Sequence, residues 1–406
     1  MSFQQGLSGL NATSKSLDVI GNNIANANTY GSKVARAEFS DLYAASLGST
    51  GENVIGIGTK LATVSQQFSQ GGITTTSNPM DLAINGAGFF QLVDKAGASR
   101  TFSRNGQFKV DVDGYVVSNS GLRLMGIPAN TTAGAEPAAL TLPTGRMLPP
   151  QVSTTVNVEL NLDSRNKAPT QPINFTDAST YNSATSVTVY DAQGVDSAVT
   201  LYFRKTAAPN TWEVYATQNG LSVNDPTAPL TELVFSDDGG APTSPLTAFD
   251  LPVTSAGGLA SVMKLDLTKA TQFGASFAIS DLRQDGFSAG QLTSVAVEKN
   301  GEITARYSNG ETRPAGQVML ANFRNPQGLS PAGENVWRQT PSSGDVVLGQ
   351  PGDGIVGAIQ AGALEESNVD LTAELVNMIT TQRMYQANAQ AVKTQDQILQ
   401  TLVNLR

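Results

Sequence analysis

The sequence predicts an α+β protein. Long N- and C-terminal helices form a coiled-coil-like inner domain, and two or more mainly antiparallel β domains nest in the middle. Two observations carry this. Phe3, Leu7, Leu10, Leu17 and Ile24 near the start recur at spacings of three, four and seven, and so do Leu371, Leu375, Met378, Tyr385, Val392, Leu399, Leu402 and Val403 near the end. Such spacings put one apolar stripe along a helix. Between them lies a stretch rich in Gly, Thr and Val, punctuated by turn residues and without that period. A helix striped along its length is not stable alone in water, so the stripe must be covered. The candidate covers are the other terminus and the same helix pair of a neighbouring molecule. These stripe residues are the expected polymerisation interface.

The elements follow in order. The first helix runs to about Ala27 and stops at Asn26, Asn28, Thr29, Tyr30 and Gly31, residues that favour turns. From Lys33 to Gln70 the pattern is mixed; Phe39, Leu42, Tyr43 and Leu47 predict a short helix, Gly48–Gly58 reads as loop, and Val54, Ile55 and Ile57, then Leu61, Val64 and Phe68, read as extended segments. Short strands broken at Gly86 and Gly88 come next, then a hairpin turning at Asp113-Gly114. Alternation resumes at Val156, Val158, Leu160 and Leu162, with a further hairpin around Asp191–Gly194. Asn224–Ala260 reads as loops. A third hairpin turns at Glu298–Gly301. Asp370 suits a helix N-cap, and Leu371–Leu405 contains neither Gly nor Pro. The expected division is 1–27 with 364–406 as the terminal helical domain and 28–70 as a connector. Residues 71–150 with 288–363 form β domain A, and 151–287 an inserted β domain B.

Composition excludes several functions. The chain has 406 residues, a formal net charge of −9 and neither His nor Cys. Acidity argues against nucleic acid as a partner. No apolar run reaches the ~20 residues of a membrane span, so no membrane insertion is expected. The first twenty residues lack a basic start and an unbroken apolar core, so an exported protein of this sequence is expected to keep its N-terminus. Without Cys or His the commonest nucleophile, general base and metal ligands are missing. Asp111-Val-Asp113-Gly114 opens like a calcium loop, but the twelfth position is Leu122 rather than Glu. Glu365-Glu366 reads as a partner of the helix dipole. No catalytic residue, metal site or cofactor is expected.

Ser8-Gly-Leu-Asn11 and Leu17-Asp-Val-Ile-Gly-Asn-Asn-Ile-Ala-Asn26 closely resemble the signature of the flagellar axial proteins of rod and hook. The run Leu364–Leu371, Glu374–Ile379, Gln382–Gln386 and Lys393–Arg406 is similar to the matching C-terminal end. Ala83-Ile-Asn-Gly86, Gly88-Phe-Phe90 and Phe102-Ser-Arg-Asn-Gly106 resemble the family's first β domain. Length and the ending Thr394–Arg406 are more similar to hook than to distal rod members. Ser32 stands where the family usually has an aromatic residue. The resemblance implies a structural subunit that polymerises with itself into a curved hollow tube, transmitting torque from rod to filament as a universal joint. It implies extracellular assembly at the hook after type III export without a cleaved signal. The implied partners are the rod and hook–filament junction proteins, the hook cap and the export apparatus. The competing expectations are another axial protein and, in a different class, a secreted multidomain β adhesin.

Overall fold

A computed structural model of the chain describes residues 2–42, 56–129, 131, 135–255, 258 and 260–404, the side chains of 2 and 402–404 excepted. The chain divides into two compact units. The first comprises Met1–Gly145, Ser294–Arg306 and Thr312–Arg406; the second comprises Arg146–Thr293 and Tyr307–Glu311.

The first unit opens on helix α1 (Ser2–Ala25) and closes on helix α2 (Leu371–Asn404). At 1.5 Å per residue these are rods of ~36 and ~51 Å, packed together. Asp370 caps α2, its carboxylate accepting from the N–H groups of Thr372 and Ala373 at 2.9 and 3.1 Å. Those donors have no partner inside the helix. α1 ends where the Asn26 amide folds back onto the carbonyl of Asn22 at 3.0 Å.

The short helix expected around Phe39 and Leu42 does not form. Strand β1 (Ala35–Leu42) pairs antiparallel with β2 (Gly58–Gln66) instead. Phe39, Leu61 and Val64 remain exposed on this wing, and the segment read as extended from Leu61 and Val64 is β2. Tyr43, Leu47, Val54 and Ile55 lie outside the described residues.

Strands β3 (Ile73–Thr75), β4 (Leu82–Asn85), β5 (Phe89–Val93) and β6 (Arg100–Ser103) begin the β body. β5 pairs with β6 and with Arg123–Pro128, which pairs in turn with Thr312–Val318. Segments from before and after the second unit therefore share one sheet. β4 pairs with Ala358–Ala361 and β3 with Ala363–Glu365, which leads directly towards α2. The core here is aromatic: Phe89, Phe102, Phe323 and Trp337 meet edge to face, with centroids 4.7 Å apart for Phe102–Phe323 and 5.9 Å for Phe89–Trp337. Asp111–Gly114 is a hairpin turn, closed by Gly114 N–H on the Asp111 carbonyl at 2.9 Å.

The second unit is built on two sheets. One runs Ser183–Tyr190, Asp196–Lys205, Thr211–Gln218, Thr231–Phe235 and Pro242–Ser244; the other runs Phe249–Thr254, Ala260–Asp266, Thr155–Asn161 and Ala278–Gln284. Val158, Leu160, Phe203, Trp212, Leu251 and Met263 belong to one buried core. The stretch 224–260, read as loops, contributes three of these strands. Pro252 lies in one of them and is tolerated because Phe249–Thr254 is at a sheet edge.

Candidate polymerisation interface

The seam between α1 and α2 sets small and polar groups among its apolar ones. A Cβ on Gly6 would stand 2.9 Å from Cγ2 of Val392, and one on Gly9 3.0 Å from the Asn388 amide. Glycine inside a helix costs about 1 kcal/mol against alanine; here it lets the two rods approach. Thr381 is 9% exposed, and its hydroxyl is satisfied within its own helix by the Asn377 carbonyl at 2.7 Å. Thr13 does the same on α1, donating to the Gly9 carbonyl at 2.9 Å. Asn23 donates to Glu374 across the seam at 3.3 Å. Hydroxyls that bond to their own helix need nothing from the facing one, so a seam of small polar residues packs without stranded donors.

The apolar residues expected at the polymerisation interface divide between that seam and the solvent-facing side of the helices. Phe3 and Leu7 of α1 are exposed, as are Leu371, Leu375, Tyr385 and Leu399 of α2. Leu371, Leu375 and Ile379 are 41%, 49% and 51% exposed. Leu10, Leu17, Ile24, Met378 and Val392 are half-buried. The side chains of Leu402 and Val403 lie outside the described residues. Met378 and Val392 share the face of α2 that carries Glu374, Thr381 and Asn388, whereas Leu375 and Ile379 turn away from it. The stripe read from the sequence on α2 therefore spans two surfaces, one facing α1 and one facing solvent. Ile20, fully within the α1 stripe, is the most buried apolar residue of that helix at 7% exposure, and the reading omitted it.

Three side-chain clusters hold the helices to the β body. The Asn23 amide accepts from Ala35 N–H at 2.9 Å and donates to its carbonyl at 2.8 Å, locking α1 to the start of β1. Asn368 accepts from Val34 N–H at 2.7 Å and donates to the Gln67 carbonyl at 2.9 Å. The third cluster is ionic. Lys33 Nζ lies 2.6 Å from Oε1 of Glu365, and a guanidinium nitrogen of Arg104 lies 3.0 Å from Oε2, with all three side chains almost wholly buried. Glu365 Oε1 also accepts from Gly71 N–H at 3.0 Å, Lys33 donates to the Ser69 carbonyl at 2.8 Å, and Arg104 to the Gly86 carbonyl at 2.8 Å. Burial pushes the Lys33 ammonium below its ordinary pKa, against the pull of the Glu365 carboxylate. The same opposition lowers Arg104.

Glu365 is thus not the helix-dipole partner read from the sequence. It ends the strand Ala363–Glu365, before α2 begins, and its side chain points into the body. Gly31 closes over it: its N–H donates to the Glu365 carbonyl at 2.8 Å. Its φ is +70°, and a Cβ there would stand 2.4 Å from Asn105 N, so no other residue fits. The neighbouring Ser32 is buried, and a small residue suits that position. Among the described residues no cluster of acidic side chains is placed to hold a metal ion, and no helix is long and apolar enough to cross a membrane.

These elements match known protein families along the chain. The model described as flagella basal body rod protein matches residues 3–33, and the flagellar hook protein FlgE/F/G D1 domain matches 83–163. The flagellar basal body protein FlaE D2 domain matches 161–287, and the flagellar basal body rod FlgEFG protein C-terminal model matches 360–405. The flagellar hook protein FlgE of Salmonella typhimurium is 42% identical, with 100% of each chain covered. That of Escherichia coli (strain K12) is also 42% identical over 100% of both. That of Borreliella burgdorferi is 31% identical over 100% of this chain and 99% of its own. The crystal structure of Helicobacter pylori flagellar hook protein FlgE2 has a similar fold, with a TM-score of 0.54 at 16% identity, covering 72% of this chain and 100% of that one. The chain belongs to the flagellar hook protein FlgE family.

Proposed function

We propose that the chain is the structural subunit of the flagellar hook, polymerising into a curved hollow tube that works as a universal joint between rod and filament. The observation that carries this is the row of apolar side chains on α1 and α2 that the chain leaves open to water. Apolar area is driven to burial at about 25 cal/mol per Å², and a contiguous exposed row marks an interaction surface. In this reading the interface consists of Phe3, Leu7, Leu10, Leu17, Ile24, Leu371, Leu375, Met378, Tyr385, Val392, Leu399, Leu402 and Val403. Residues 1–27 with 364–406 build the inner tube, 28–70 connect it outward, and 71–150 with 288–363 and 151–287 are the outer β domains.

The subunit leaves the cell through the type III export apparatus with its N-terminus uncleaved and adds beneath the hook cap. It contacts rod and hook–filament junction proteins at the two ends of the tube. The role involves no catalytic step, cofactor, nucleic acid or membrane insertion. Electron microscopy of the purified protein under polymerising conditions tests the reading. Tubes are expected; small discrete oligomers that bind a surface ligand would replace it with a secreted adhesin.

A further inference from the structure

Two unpartnered features sit on one helix. Leu371, Leu375 and Ile379 recur every four residues and so form one ridge along α2. A groove of about 490 Å³ is bounded by Ala12 and Ser16 of α1, Phe39 of β1, and Thr381, Met384 and Ala387 of α2. No side chain lining it is ionisable, and Phe39 and Met384 are exposed at its edge. Leu375 and Met384 are nine residues apart, about 2.5 turns and ~14 Å along the axis. Ridge and groove therefore face opposite directions. Residues 371–404 contain no Gly or Pro at which the rod could fold back, so a chain cannot place its own ridge in its own groove.

We propose that the Leu371–Leu375–Ile379 ridge of one copy seats in the Met384 groove of the next; this rests on the hook-subunit reading above. The occupant is a second copy because a hook subunit polymerises with itself, and both surfaces are uncharged, so their contact strips water from no ion. A ridge on one side and a groove on the other also make the contact heterologous. Such contacts propagate into helical assemblies instead of closing a pair.

The chain has no cysteine, which makes the test direct. Ile379→Cys and Leu375→Cys mark the ridge, and Ala387→Cys and Met384→Cys mark the groove. Ridge and groove variants are mixed, polymerised, oxidised and run on non-reducing gels. A disulfide needs Cα atoms within about 7 Å, so dimers are expected in mixed polymers and not in polymers of either variant alone. Tubes that form with no dimer from any ridge–groove mixture overturn the proposal and leave the hook-subunit reading standing. Dimers between Phe3→Cys and the groove variants in their place would assign the groove to α1 of the neighbour and equally overturn it. Wild-type protein that never forms tubes removes the underlying reading. Independently, Ala387→Trp fills the groove. It is expected to raise the critical concentration for assembly about tenfold or more with unchanged melting of the monomer, and wild-type assembly by this variant refutes the pairing.

Discussion

Replacing Glu365 leaves two cations buried without a counter-charge. The side chains of Lys33 and Glu365 are both fully buried, and that of Arg104 is 4% exposed. Breaking a buried ion pair by removing one partner costs about 3–5 kcal/mol, because the remaining charge is stranded. Glu365→Gln keeps the shape and part of the hydrogen bonding, yet strands both cations, so a loss of at least ~3 kcal/mol is expected. Lys33→Met makes the opposite change. The cluster carries one surplus positive charge, and this substitution leaves a neutral Arg104–Glu365 pair with the stem volume retained. Its loss should be smaller, about 1–2 kcal/mol, mainly the bond to the Ser69 carbonyl. Urea unfolding measures both. Trp337 belongs to the first unit and Trp212 to the second, and they are the only tryptophans. In a Trp212→Phe background, tryptophan fluorescence therefore reports the first unit alone. If Lys33→Met costs more than Glu365→Gln, or Glu365→Gln costs under ~1 kcal/mol, the electrostatic account of this junction is wrong.

Other outcomes follow from the same structure. Leu375→Ala and Leu399→Ala should change monomer stability by no more than about 0.5 kcal/mol, since both are half-exposed. Once buried in a polymer each truncation should cost about 2–5 kcal/mol, so sedimentation would show lost assembly with intact folding; equal losses in both refute the assignment. Partial burial tends to raise the Asp285 carboxyl, but hydrogen bonds from the hydroxyls and N–H groups of Thr154 and Thr155 outweigh it and hold it below its ordinary value. That stabilisation is complete above the unfolded carboxylate value of ~3.9 and disappears as pH falls through the lower folded one. Asp285→Asn should cost about 1–3 kcal/mol at neutral pH and flatten the acid limb seen through Trp212; an unchanged limb would exclude this carboxylate as its source. In the free monomer, trypsin should cut α2 first, at Arg383 and Lys393, because that half of the helix buries little of its own surface. Mass spectrometry showing an intact α2 after the β body has been digested would contradict this.

The terminal helices were legible because their signals are local. Asp370, the stripe and the Gly-free run all lie within the helix they specify, and the hairpins at Asp113-Gly114 and Glu298–Gly301 announce themselves through their turn residues. Strand β1 was not: a register shift beside Phe39 interrupts what alternation exists, whereas β2, although mostly solvent-exposed, falls where Leu61 and Val64 read as extended. The junction was equally hidden. Lys33, Arg104 and Glu365 are separated by 261 and 332 positions from their partners, and nothing local distinguishes them from solvated charges. The close approach of the two helices was hidden for another reason: the stripe rule marks apolar residues, while the small and polar Gly6, Gly9, Thr13 and Thr381 of this seam carry no such mark. Two glycines three apart inside a helix were the available clue.

The buried junction also bears on the setting in which the protein works. Pairs such as Lys15–Asp18 and Lys264–Asp250 are open to solvent, where dissolved ions weaken them over a Debye length of about 8–10 Å. The buried Lys33–Glu365–Arg104 cluster is screened far less. The hold of this cluster on the segment leading into α2 is therefore expected to be nearly the same at low and at high ionic strength.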